Sequence, residues 1–170
     1  MDVFTAIQNR RSIRAYKDKA IDEPLLNKVL EAARLAPSAG NNQGWKFLVV
    51  KDPETRKMLS AAAKGQKQVE QAPVVLVGIS TEPEGKMLNG QLRGPIDLSI
   101  AFSFIMLEAI ELGLGTCWLG AYNEDEVKKI LGIPDKLRVI AMTPLGYPAE
   151  EPAARPRKSA DQIVIYEKYA

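Results

Sequence analysis

Histidine is absent from this 170-residue chain, and cysteine occurs once. Without imidazole there is no Ser–His–Asp or Cys–His relay, and zinc sites built from Cys and His are excluded. The lone Cys117 cannot form an intrachain disulfide, so nothing in the chain argues for an oxidising compartment. An enzyme without imidazole can take its chemistry from a bound cofactor, although carboxylates, lysines and tyrosines also serve. An excess of one charge is lacking too. The 23 basic and 21 acidic residues leave a net charge of +2, which makes no general case for nucleic-acid or membrane binding. The longest uncharged apolar stretch, residues 98–107, is too short to span a bilayer. Met1-Asp2-Val3-Phe4-Thr5 lacks the charged-then-apolar layout of a signal peptide, so a cytoplasmic protein is expected. Phosphate-loop signatures are missing as well. There is no Gly-x-x-x-x-Gly-Lys-Ser/Thr, and Gly113-Leu114-Gly115 lacks the third glycine of a dinucleotide fingerprint.

What is present reads as one globular domain over residues 1–170, long enough to bury a core. Asp2 caps a first helix in which Val3, Phe4 and Ile7 share a face. Pro24 opens a second, with Leu26, Val29, Leu30 and Ala33 at helical spacing and Pro37 after its end. Residues 38–44 form a loop, residues 45–50 a strand, residues 53–63 a helix, and residues 66–70 a short turn or helix. Val74-Val75-Leu76-Val77-Gly78-Ile79 is continuously apolar, as in a strand covered on both faces. Residues 81–94 hold three glycines and a proline and are expected to form a mobile loop. A long helix follows from Pro95, with Asp97 placed to complement its dipole and almost no charge on any face. Thr116-Cys117-Trp118-Leu119 reads as a short strand, Asn123 caps a further helix, and residues 137–145 give another strand. Pro148, Pro152 and Pro156 then stiffen a segment leading to Ile163-Val164-Ile165-Tyr166, a strand-like tail with little to pair with in its own chain. The order of elements predicts an α/β (α+β) fold, a central sheet with helices on both faces.

Three polar clusters carry candidate chemistry. In Arg10-Arg11-Ser12-Ile13-Arg14 an extended backbone puts Arg10, Ser12 and Arg14 on one side, two guanidinium forks and a hydroxyl suited to a phosphate. A solvated basic turn at a helix carboxyl end is the competing reading. The loop Pro37-Ser38-x-x-Asn41-x-Gln43 offers amides and hydroxyls to a heteroaromatic edge, or is a self-satisfied helix-to-strand connection. Arg155-Pro156-Arg157-Lys158 is a second basic site or a solvated charge run. Cys117 reads as a buried small apolar residue.

Taken together these segments resemble the FMN-dependent nitroreductase family. The matching blocks are residues 10–14, Ala36-Pro37-Ser38-Ala39-Gly40-Asn41-Asn42-Gln43-Gly44-Trp45, and Gln66-Lys67-Gln68-Val69-Glu70-Gln71-Ala72-Pro73. They continue with Gly113-Leu114-Gly115-Thr116-Cys117-Trp118-Leu119-Gly120, Leu131-Gly132-Ile133-Pro134 and Leu145-Gly146-Tyr147-Pro148. Their order is the family's, and they span almost the whole chain. The resemblance implies a mixed, mainly antiparallel sheet and a homodimer with FMN at the subunit interface. It also implies a carboxyl-terminal strand donated to the partner. By position, Arg10, Arg11, Ser12 and Arg14 would bind the phosphate, ribityl and pyrimidine end of FMN, with Arg155 and Arg157 closing on the phosphate. Gln66 would reach the polar edge of the ring. Pro37, Ser38, Ala39 and Asn41 would line the flavin from the other subunit, and Leu119 and the Gly120 N–H would face N5. Arg14 and Gly120 are the candidate catalytic residues. NAD(P)H would be the transient donor and a nitroaromatic, quinone or similar small molecule the acceptor, in a ping-pong cycle. A specialised flavoprotein, such as a reductive dehalogenase or flavin-fragmenting enzyme, and a non-turnover FMN-binding protein are the alternatives. No metal, nucleic acid or membrane partner is implied. Gly44 stands where the family often has proline, and the segment 81–94 is too short for an extensive lid.

Overall fold

The computed structural model describes residues 1–169. Six α-helices and four strands occur among them, and Asp2, Asp52 and Asn123 each begin a helix with a side-chain cap legible in the sequence. Helix α1 (Val3–Asn9) starts where the Asp2 carboxylate accepts the Thr5 N–H at 2.9 Å. Helix α2 (Glu23–Arg34) has Pro24 in its first turn and buries Leu26, Val29 and Ala33. Strand β1 (Trp45–Val50) and helices α3 (Pro53–Ala62) and α4 (Lys67–Gln71) lead to β2 (Val74–Ser80). The long helix α5 (Arg93–Glu111) precedes β3 (Gly115–Thr116), α6 (Glu124–Leu131) and β4 (Arg138–Gly146). Asn123 caps α6 at its start, and Gly132 ends it at φ 65°, a left-handed turn that suits glycine.

The strands lie in the order β1-β2-β4-β3, and every neighbouring pair is antiparallel. A parallel element comes from outside the strands, a single bridge between Ser12 and Thr116. Period-two alternation explains the unbroken apolar run in β2. Val75, Val77 and Ile79 pack under α3 and α6 with Leu59, Val69, Val127 and Met142. Val74 and Leu76 face the other way, onto α2 and α5, with Leu26, Val29, Leu98, Phe102 and Ile105. Phe102 reaches the sheet because Gly78 has no side chain there; a β-carbon at that position would run into its ring.

Two expectations are modified by tertiary contacts, and the tail stays unpaired in its own chain as expected. The ladder of β3 stops at Thr116, because the Cys117 N–H turns to the Thr143 hydroxyl at 3.1 Å, and pairing resumes only at Leu119, opposite Met142. Trp118 is thereby left 45% exposed. The segment 81–94 is a tied hairpin, with a bridge between Lys86 and Leu92 and a Met87 N–H to Gln91 C=O bond of 2.9 Å. Among the described residues the tail 163–166 pairs with no strand, and Tyr166 is 82% exposed. No helix among the described residues is long and apolar enough to cross a membrane.

Candidate functional site

After α1 the backbone turns extended at Arg10 (φ −58°, ψ 126°) and runs beside β3. The Ile13 N–H donates to Thr116 C=O at 2.9 Å, and the buried Tyr16 hydroxyl donates to Ile13 C=O at 2.9 Å. Ile13 packs inward against Gly115, which has no β-carbon to obstruct it. Alternation then presents Ser12 and Arg14 away from Ile13. The carboxyl-terminal segment returns over this surface, held where the Ala149 N–H meets Ala15 C=O at 2.9 Å and the Arg14 N–H meets the Glu150 carboxylate.

Between the two segments lies a cavity of about 410 Å³ whose lining includes Arg10, Arg11, Ser12, Arg14, Arg155 and Arg157. Both sequence clusters of arginine thus converge, although some 140 residues separate them. Such a cavity suits a di-anionic group, because guanidinium stays charged at any working pH and presents forked donors. The arginines divide the work. Arg11 turns back and donates to Gln8 C=O at 2.6 Å and Arg10 C=O at 3.0 Å, so it also satisfies carbonyls at the end of α1. Arg14 remains exposed, with only a 3.3 Å bond from its guanidinium to Ser12 C=O. Cys117 lies beneath. Burial pushes its thiol up, while Arg14, Ser12 and Arg10 pull the other way.

A second group of expected residues gathers at the end of the β3–α6 connection. The Gln66 amide donates to Ala121 C=O at 3.0 Å, placing it beside Gly120. Leu119 is buried, with both backbone groups bonded to Met142, so its N–H is not free. Gly120 is exposed, and among the described residues its N–H meets no acceptor. The Trp118 ring lies across it, since a β-carbon at Gly120 would sit 3.0 Å from that ring.

Pro37, Ser38, Ala39 and Asn41 occupy the α2–β1 connection and do not line the arginine cavity of the same chain. Their loop contains a tight turn at Ala39–Asn41, with Gly40 at φ 61° and Asn41 at φ 55°. The Ser38 hydroxyl accepts the Gln43 N–H at 2.9 Å. Asp97 does not act on its helix dipole as expected. It lies beyond the first turn, 5% exposed, and accepts the Ala39 N–H at 3.1 Å. Its isolation in an apolar helix was the available signal. Glu150, which orders Arg14, had none, because its partner is 136 positions away.

Residues 7–92 and 64–147 match the sequence profile of the Nitroreductase family. An NADH dehydrogenase of Thermus thermophilus is 33% identical over 98% of this chain and 96% of its own length. An FMN reductase [NAD(P)H] of Bacillus subtilis is 30% identical over 99% of this chain and 74% of its own. Among solved structures, an FMN-dependent nitroreductase from Clostridium difficile superposes with a TM-score of 0.85 at 31% identity, covering 98% of this chain and 99% of that one. The profile match takes in far more than half the chain and the fold agrees along its length, so this chain belongs to the nitroreductase family and is an oxidoreductase.

Proposed function

We propose that the chain is a one-domain, FMN-dependent enzyme that passes a hydride from NAD(P)H to nitroaromatic, quinone or similar small acceptors, as a homodimer with FMN at the interface. The observation that carries this reading is the cavity in which Arg10, Arg14, Arg155 and Arg157 converge on Ser12. Its donor set fits a flavin phosphate: five guanidinium groups, of which Arg11 is partly engaged by backbone carbonyls, and a hydroxyl, with no acidic side chain in the lining. The names and 30–33% identities of the relatives support the same cofactor and donor.

When bound, FMN supplies hydride acceptance and donation at N5. The chain's residues hold and tune it. Arg10, Arg155 and Arg157 bind the phosphate, with Arg11 bracing the turn, and Ser12 holds the ribityl end. Arg14 places a permanent positive charge at the pyrimidine edge, where reduction builds negative charge, and needs no proton to do so. Gln66 and the Gly120 N–H, set one residue from the Gln66–Ala121 bond, donate to the polar edge and the N5 side, beside Leu119. Pro37, Ser38, Ala39 and Asn41 line the ring from the partner subunit. The short 82–92 hairpin leaves one face open for donor and acceptor in turn.

Dimerisation is supported by apolar surface that this chain does not cover. Val3, Phe4 and Ile7 on α1, Phe104 on α5 and Ile163 to Tyr166 in the tail are exposed. β1 is an edge strand, so a partner's tail has main-chain groups to pair with. The test is the visible spectrum of purified protein during anaerobic NADPH titration, repeated with NADH. A bound flavin spectrum bleached by one equivalent of donor is expected. A colourless protein that takes up no added FMN sinks the reading.

A further inference from the structure

The loop proposed above to line the flavin holds Gly40, Asn41 and Gln43 at φ 61°, 55° and 52°. Non-glycine residues pay for a left-handed backbone, and such conformations persist only where their surroundings over-determine them. Bonds inside the loop do part of this. Beyond the Ala39–Asp97 bond and the Thr81 N–H to Gly44 C=O bond of 3.0 Å, the remaining tie is a carboxylate. The Asn42 amide donates to Glu82 Oε2 at 2.6 Å.

The same Glu82 oxygen accepts Arg93 Nη2 at 3.0 Å. Arg93 opens α5 and closes the hairpin, since its N–H donates to Gly85 C=O at 2.8 Å, while the Gly85 N–H donates to Glu82 C=O at 3.0 Å. Two glycines make room for this arrangement. A β-carbon on Gly44 would stand 3.2 Å from the Asn42 amide and 3.5 Å from Glu82, and one on Gly85 would stand 2.8 Å from the Arg93 guanidinium. Arg93 Nε is buried with no acceptor among the described residues, so Glu82 is the carboxylate that answers its charge. The hairpin tip beyond, at Leu88, is wholly exposed.

We propose that Glu82 is a positioning residue, clamping the flavin-lining loop 38–44 to the hairpin 82–92 so that the two form one rigid wall of the acceptor pocket. The pair is half exposed, so its worth lies in geometry and not in stability. Gly44 is then the small residue that admits the clamp, and the clamp takes over the stiffening that a proline there would provide. The role rests on the flavin reading of the loop, whereas the mechanical coupling does not.

The test compares wild type with Glu82→Ala, Glu82→Gln and Asn42→Ala. Amide hydrogen exchange on the chain without added ligand should rise about fivefold in both 38–44 and 82–92 for Glu82→Ala, with Tm held within about 2 °C. Glu82→Gln, which keeps one acceptor oxygen, should fall between. With FMN, Glu82→Ala should weaken flavin affinity about fivefold and raise the KM for a quinone acceptor by a similar factor, with kcat within about twofold. Exchange rising in only one segment, or in neither, overturns the clamp. Joint loosening with unchanged FMN affinity and KM overturns the positioning role and leaves the flavin reading intact. Joint loosening in a protein whose wild type binds no FMN removes the flavin reading and the positioning role together.

Discussion

The arginines of residues 10–14 do different jobs although they are chemically alike. Arg11 spends its donors on the carbonyls of Gln8 and Arg10, whereas Arg14 is left exposed at the rim of the cavity. Arg14→Ala should therefore leave Tm unchanged. It should weaken FMN binding about tenfold and lower the bound flavin's two-electron potential by about 30 mV, read by fluorescence titration and a redox-dye equilibrium. Unchanged values would remove Arg14 from the site. Two tyrosine hydroxyls, one buried and one partly buried, and a buried thiol set the alkaline limit. Burial raises Tyr16, Tyr122 and Cys117 above their ordinary values. A group whose folded pKa is raised contributes stability that is full below its unfolded pKa and is lost as pH rises through the folded value. Stability should begin to fall at about pH 8, as an unfolded thiol of ordinary pKa about 8.5 ionises, and steepen near pH 10 as unfolded tyrosines do. Denaturant midpoints that stay flat from pH 8 to 11 would refute this.

At the scale of elements, Glu124 joins α6 to β4. It accepts from Arg138 Nε at 2.9 Å and the Val139 N–H at 2.9 Å, and Lys128, itself buried, lies 3.3 Å away. Burial works to raise its pKa, but these donors prevail and hold it below the usual carboxylate range. Its contribution is present above the ordinary value and is lost as pH falls through the lowered one. Glu124→Ala, which strands the Val139 N–H and the Lys128 charge, should cost about 2 kcal/mol at pH 7 and flatten the acid limb of a denaturation series. Glu31→Ala at the fully exposed Arg34 pair should leave the denaturation midpoint nearly unchanged, because solvent screens that pair. Equal losses for the two would contradict the assigned roles.

At the scale of the whole molecule, the proposed dimer would join the exposed tail of one chain to the open edge of β1 in the other. Ile163 and Tyr166 are largely exposed, and β1 ends the sheet. Truncation after Gln162 should shift the sedimentation coefficient from dimer to monomer and abolish tight FMN binding, with the far-UV spectrum nearly unchanged. A truncated chain that stays dimeric would show that the α1 and α5 surfaces suffice without strand donation.

Local and periodic features were open to sequence reading because their causes lie within a few residues. Asp2 and Asn123 cap helices through N–H groups three positions on. The run 74–79 announced a strand buried on both faces, and the ordered blocks announced the family. Contacts between distant segments were not open, because side-chain chemistry alone does not say where the chain returns. The convergence of Arg155 and Arg157 with Arg14 is expected from the family resemblance and not from side-chain chemistry; only the tertiary structure turns Asp97 from a dipole partner into an anchor for Ala39 and breaks β3 at Cys117 through the Thr143 hydroxyl. The sequence by itself determined the elements, the two-faced core and the residues able to bind an anion. The tertiary structure decided which of those residues meet, since each such meeting depends on backbone paths that carry partners from far along the chain.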